Sequence, residues 1–238
     1  MSAAEKSSEN TKPNMEGPQL NRPKIRAVTF DMDGLMFNTE DLYDIVGEKL
    51  LNRRGQSFTT ELKMAMMGLP GNSAFAVMKE RCGLDDPIES LALECEELFV
   101  DLLPSAIEMM PGLEKLLDLL EANDIPKGIA TSSHAAFADR ALGMFDLKPR
   151  FEFVLTSESV TNGKPDPEVY LLAASKLGVS PAEMLVLEDS VHGSNAAIAA
   201  QAVTIAIPST RVDPGLLGSV YAICGSLDDS KILDLIRN

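Results

Sequence analysis

The chain has 238 residues, 45% of them apolar, with 21 basic against 36 acidic side chains and a formal net charge of −15. This is enough for one large domain, or a main domain with a modest insertion, around a full core. The charge disfavours nucleic acid and anionic membranes as partners, and with no membrane-length apolar run and no signal peptide a cytoplasmic protein is expected.

In chain order, residues 1–23 are rich in Ser, Glu, Asn, Lys and Pro without periodic apolar positions, and read as a disordered leader. The β-branched and aromatic run at residues 25–30 reads as a buried strand. Asp31 and Asp33 follow where that strand ends, and Gly34 lets the backbone turn away. Two acids at such a place make a metal site or a reaction centre, with an idle acidic turn as the alternative. A calcium loop is excluded, because it wants Gly at its sixth position and Glu at its twelfth. Here Gly34 is fourth and Leu42 twelfth.

From Thr39 to Pro104 the pattern is helical throughout. Residues 41–53 place Leu42, Ile45, Val46, Lys49 and Leu50 on one side. Thr59 or Thr60 caps a short helix that ends near Gly68-Leu69-Pro70-Gly71. Asn72 or Ser73 opens another, which stops at Gly83, and Pro87 opens a longer one that Pro104 stops. Beyond Pro104, helices at 113–121, 134–143, 167–177, 193–201 and 228–236 alternate with strands at 127–131, 151–155, 184–187, 203–207 and around 221–223. The expected architecture is therefore α/β, a doubly wound parallel sheet with an all-helical insertion. The core takes residues 24–37 and 105–238, and a helical cap takes 38–104.

Right-handed crossovers bring the carboxyl ends of parallel strands to one edge, where ligands bind. Four of those ends carry polar residues: Asp31/Asp33, Thr131-Ser132-Ser133, Lys164 and Glu188/Asp189. Glu188 and Asp189 could join Asp31 in supplying oxygens to a hard cation such as Mg²⁺, or Glu188 could cap the sheet or pair with a lysine. Thr131-Ser132-Ser133 offers hydroxyls and amides to a phosphate, or simply caps a helix. Lys164, between Gly163 and Pro165, suits a phosphate charge if it is not a solvated surface lysine. His134 and His192 lack metal-ligand spacing and read as helix-start residues, with a minor substrate role open to His134. Cys82, Cys95 and Cys224, odd in number and scattered, read as buried thiols of a reducing compartment.

Asp31-Met32-Asp33-Gly34, Thr131-Ser132, Lys164-Pro165-Asp166-Pro167 and Glu188-Asp189 resemble the four motifs of the haloacid-dehalogenase superfamily in order and spacing. The nearer likeness is to its β-phosphoglucomutase-like branch, and Met110-Pro111-Gly112-Leu113 is similar to pseudouridine-5′-phosphatases of that branch. The resemblance implies Asp31 as nucleophile, Asp33 as general acid/base and Lys164 as charge stabiliser, with Thr131, Ser132 and Gly34 at the substrate phosphate. It implies Mg²⁺ held by Asp31, the Asp33 backbone carbonyl and the Glu188/Asp189 pair. Asn38 stands where the branch usually has a third aspartate, a departure expected to soften contacts at the cap hinge.

Phosphomonoester hydrolysis through an aspartyl-phosphate is the resulting expectation, by a monomer acting on a small phosphorylated metabolite. A mutase is the alternative. Such mutases typically carry a histidine where Tyr43 stands, and a cap arginine where this chain reads Leu69-Pro70-Gly71-Asn72. A dehalogenase has no need of Asp33. A phosphonatase would need a cap lysine, for which Lys49, Lys63 and Lys79 are available, though their spacing fits surface positions. A non-catalytic descendant binding a partner through its cap has no need to keep all four clusters.

Overall fold

Six short strands form one parallel sheet among the described residues: Ala27–Phe30 (β1), Lys127–Ala130 (β2), Val154–Leu155 (β3), Met184–Glu188 (β4), Val203–Ala206 (β5) and Ala222–Ile223 (β6). They lie in the order β3-β2-β1-β4-β5-β6. The computed structural model describes residues 22–66, 69 and 71–237. The leader up to residue 21, with Gly68 and Pro70 of the expected turn, lies outside them. The winding reverses between β1 and β4, and in open sheets of this type that switch point is where ligands bind. Register then decides which side chains meet there. Phe30 pairs with Leu187 on one side and Ile129 on the other. Asp31 therefore leaves the sheet beside Glu188 and one step short of Thr131.

Alternating side chains of the strands enter two core layers. Val28, Phe30, Ile129, Leu185 and Leu187 join Leu113–Ala122 (α5), Ala135–Met144 (α6) and Ser230–Ile236 (α9) in the larger one. Ala130, Met184 and Val186 join Glu168–Leu177 (α7) and Val191–Ala199 (α8) in the other. Helices thus cover both faces, as a parallel sheet requires.

Between β1 and β2 the chain makes four helices: Thr39–Asn52 (α1), Thr60–Met66 (α2), Gly71–Cys82 (α3) and Ile88–Ala106 (α4). The buried stripe of α1 is Thr39, Leu42, Val46, Gly47, Leu50 and Leu51, whereas Ile45 and Lys49 of the expected face are exposed. Pro104 does not end α4, which continues to Ala106 with the proline inside it. The carbonyl that Pro104 cannot bond is that of Val100, and the Arg140 guanidinium donates to it at 3.2 Å. The strand expected at 151–155 shrinks to Val154–Leu155; the Phe151 amide closes the 3₁₀ turn at Lys148–Arg150 by donating to the Lys148 carbonyl, and its ring stands edge-on to Phe30. Helix α8 begins before Gly193, since the Ser190 hydroxyl caps it by accepting from the Gly193 amide. Cys224 is buried, whereas Cys82 and Cys95 are only half-buried, and all three are free thiols. No helix among the described residues is long and apolar enough to cross a membrane.

The expected softening at Asn38 is not what the structure has. Its Nδ2 donates to the Ala106 carbonyl at 3.2 Å and its Oδ1 accepts from the Glu108 amide at 2.8 Å. Its backbone amide also donates to Glu108. The side chain thus ties together the two connections that join the helical insertion to the sheet. An aspartate would keep the acceptor and lose the donor, leaving a carboxylate oxygen against a carbonyl. Asn38→Asp is therefore expected to lower stability by about 1 kcal/mol. An unchanged melting midpoint by circular dichroism would contradict this.

Candidate active site

Strand ends β1, β2 and β4 meet the loop before α7 in one buried polar cluster. Lys164, written from sequence either as a phosphate partner or as a surface lysine, has a side chain only 5% exposed. Its ammonium donates to Asp31 Oδ1 at 2.5 Å, Glu188 Oε1 at 2.7 Å and the Ala130 carbonyl at 2.9 Å. The surface alternative therefore fails. The loop that delivers it is held by Glu168, whose carboxylate accepts from the Thr161 and Asn162 amides at 2.8 Å each. Burial alone would push the ammonium down, but Asp31 and Glu188 together hold it well above the usual lysine range.

Asp33 lies across the strand end from this group. Its Oδ2 accepts from Thr131 Oγ1 at 3.0 Å and Ser133 Oγ at 2.7 Å, while its Oδ1 is buried without a hydrogen-bond partner. Ser132 is exposed and takes no part in this network. The helix-capping alternative for these hydroxyls is not realised. Helix α6 has His134 at its cap position with no side-chain bond, and its first amide, that of Ala135, is met by the Glu158 carboxylate. The His134 imidazole is exposed and hydrogen-bonded to Glu158 and Ser157.

Asp31, Glu188 and Asp189 each place a carboxylate oxygen within 4.8 Å of the others. Three buried carboxylates share one lysine, so the group carries more negative charge than its own cation neutralises. Burial, with Glu188 and Asp33 nearby, pushes the Asp31 carboxyl up to about 8 against the opposing pull of Lys164. Burial together with Asp31 and Glu188 also raises Asp189 well above the carboxylate range. An oxygen-rich set that cannot stay charged unaided fits a divalent cation. The pH dependence follows from the sign. Between about 4 and about 8 the folded protein keeps a proton on Asp31 that the unfolded chain has released, so stability falls as pH rises. Thermal melts in EDTA are expected to drop between about pH 5 and about pH 8, with a smaller drop in Asp31→Asn. Equal slopes in the two proteins would contradict this.

Glu188 is the most firmly seated of the three acids. Its Oε1 accepts from Lys164 and, at 2.5 Å, from the Tyr170 hydroxyl. Its Oε2 accepts from the Asp189 amide at 3.1 Å, the Ser190 amide at 3.2 Å and the Ser190 hydroxyl at 3.0 Å. The lysine pairing weighed as an alternative thus occurs within the same cluster as the possible metal oxygens. Two glycines make room for it. A Cβ on Gly193 would overlap the Glu188 carboxylate, and one on Gly34 would overlap Asp189 Oδ2. Gly34 also needs its φ of +79° for the turn, with its amide donating to the Thr39 hydroxyl at 3.0 Å. Tyr170, Gly193 and Thr39 were not assigned to the site from sequence. A buried Glu188 demands several donors, and that demand is the signal that could have pointed to Tyr170 and Ser190.

Residues 28–207 match the family model of haloacid dehalogenase-like hydrolases. Over 209 residues the chain is 29% identical to a phosphorylated carbohydrates phosphatase of Thermotoga maritima, covering 88% of this chain and 90% of that protein. It is 34% identical over 221 residues to (DL)-glycerol-3-phosphatase 2 of Arabidopsis thaliana, covering 88% and 90%. Among solved structures, a HAD hydrolase of family IA, variant 3, from Entamoeba histolytica superposes with a TM-score of 0.76 at 25% identity, covering 90% of this chain and all of that one.

Proposed function

We propose that this chain, which belongs to the haloacid dehalogenase-like hydrolase family and is an enzyme, is a Mg²⁺-dependent phosphatase of small phosphomonoesters with neutral leaving groups. The observation that carries the reading is Lys164 bridging Asp31 and Glu188 beside Asp189, with Asp33 one strand-end away. Phosphoryl transfer asks mainly for positioning and charge neutralisation, and this cluster provides both.

Asp31 is the nucleophile in this reading. One of its oxygens bonds to phosphorus as the ester P–O bond breaks, and Asp33 gives its proton to the departing oxygen. Asp33 then takes a proton from water, whose oxygen attacks the aspartyl-phosphate, releasing inorganic phosphate and restoring Asp31. The partnerless Oδ1 of Asp33 is the oxygen left to carry that proton. Thr131 and Ser133, which hold the other oxygen, are the donors that a phosphate would share. Lys164 favours the charged form of Asp31 and offsets the repulsion between carboxylate and phosphoryl group. Asp31, Asp189 and Glu188, with the Asp33 carbonyl that the family resemblance implies, would hold Mg²⁺, which would supply further charge neutralisation at the phosphoryl group.

Helices α1–α4 act as a cap over the leaving group. Tyr43 on α1 is 50% exposed, with its ring centre 4.5 Å from that of Phe99, and Asp33 is among the groups close enough to act on its phenol. Asp33 and Glu96 are the carboxylates bearing on that phenol, and, of the cap cations, Arg53, Arg54 and Lys63 are paired with acids. Such surroundings suit an alcohol or sugar better than a second phosphate, which favours water as acceptor over the bisphosphate chemistry of a mutase. The enzyme works as a cytoplasmic monomer in this reading. A panel of polyol, sugar and nucleoside monophosphates, assayed with Mg²⁺ and with EDTA, tests it. Phosphate release from at least one ester, abolished by EDTA, is expected. With β-glucose 1-phosphate and a bisphosphate primer, glucose 6-phosphate forming faster than inorganic phosphate by phosphorus NMR would overturn the hydrolase assignment.

A further inference from the structure

Tyr170 lies on α7, fully buried in the core layer that holds Val186 and Ala196. A phenylalanine would fill the same volume among those apolar neighbours, so packing alone does not call for the hydroxyl. The hydroxyl donates to Glu188 Oε1 at 2.5 Å, and Lys164 Nζ stands 5.1 Å from the centre of the ring. The same Glu188 oxygen accepts from Lys164 at 2.7 Å, and Lys164 reaches on to Asp31. The other Glu188 oxygen is fixed separately by Asp189 and Ser190. With Oε2 pinned, the phenol decides how Oε1 is shared. Its hydrogen bond occupies one side of that oxygen and leaves the ammonium the side from which it also reaches Asp31. Without it, Glu188 can draw the lysine toward itself and away from the reacting carboxylate.

We infer that Tyr170 is a positioning residue: its hydroxyl orients Glu188, and through Glu188 and the ring face it holds the Lys164 ammonium on Asp31. The catalytic consequence rests on the phosphatase reading above, whereas the positioning itself does not. Tyr170→Phe keeps the ring over the lysine and removes only the hydroxyl. Two measurements test it. With p-nitrophenyl phosphate and saturating Mg²⁺, kcat falls about tenfold while KM stays within about twofold, the loss of one hydrogen bond to a charged group acting on the reaction and not on binding. In ¹⁵N-edited spectra of the metal-free protein, the buried Lys164 ammonium gives a slowly exchanging signal, assigned by its loss in Lys164→Met. That signal shifts or broadens in Tyr170→Phe. Tyr170→Met, which lacks the ring as well, loses at least as much turnover. A Lys164 signal unchanged in Tyr170→Phe, or a kcat within about twofold of wild type, overturns the inference, even where the melting midpoint drops. If the wild type hydrolyses no ester, the phosphatase reading fails, and the Lys164 signal alone decides whether Tyr170 orients the lysine.

Discussion

Asp31→Asn is expected to lower phosphatase turnover by about 10⁴-fold or more while the protein still folds, because the amide keeps the volume and removes the attacking charge. Folding should survive for a reason specific to this site. Asp31 is buried beside Glu188 and Asp189, and that burial already pushes its carboxyl up to about 8. A neutral amide relieves part of the repulsion in the metal-free protein, so its melting midpoint in EDTA near pH 8 should equal or exceed that of the wild type. Beryllium fluoride with Mg²⁺ should bind the wild type and leave the Asp31→Asn variant untouched, since it needs the carboxylate oxygen that phosphorus would take. Turnover within tenfold of wild type would place the nucleophile elsewhere.

Much of this arrangement was legible in the sequence, and the reasons are physical. Strands here are short apolar runs bounded by polar residues, so the run before Asp31 and the run before Glu188 announce both themselves and their ends. Parallel pairing then leaves little choice about which ends meet, and the β1–β4 register brings Asp31 to Glu188. What stayed hidden depends on contacts between residues far apart in the chain. Pro104 reads as a stop signal because nothing nearby in sequence shows that Arg140 accepts the burden of the bare Val100 carbonyl. Asn38 reads as a weakened aspartate until Ala106 and Glu108 arrive to use both ends of its amide. Nothing beside Tyr170 in the sequence marks it as a site residue, and only the approach of Glu188 from β4 gives its hydroxyl a partner. Capping by Thr131 and Ser133 was a fair local alternative, and it lost to Asp33, which lies about a hundred positions away.

Lys164→Met should produce a large loss of stability. Methionine keeps the length and most of the apolar stem, so the effect isolates the charge. In the wild type one ammonium, 5% exposed, meets two carboxylates and a backbone carbonyl. Removing one partner of a buried pair leaves the remaining charge without compensation and typically costs about 3–5 kcal/mol. Here two carboxylates lose the same partner, with Asp189 close enough to add its repulsion. The pH dependence gives the sign. Lys164 is the group that holds the Asp31 carboxyl down against its burial, so the variant pushes that carboxyl further above about 8. Wild type and variant both keep that proton below about 8, so the loss grows as pH rises above about 8, where the wild type releases the proton and the variant still holds it. Urea unfolding in EDTA at about pH 7 and about pH 9 measures both effects, and adding Mg²⁺ at the higher pH should restore part of the loss. A variant within about 1 kcal/mol of wild type at both pH values would mean that Lys164 does not hold this cluster together.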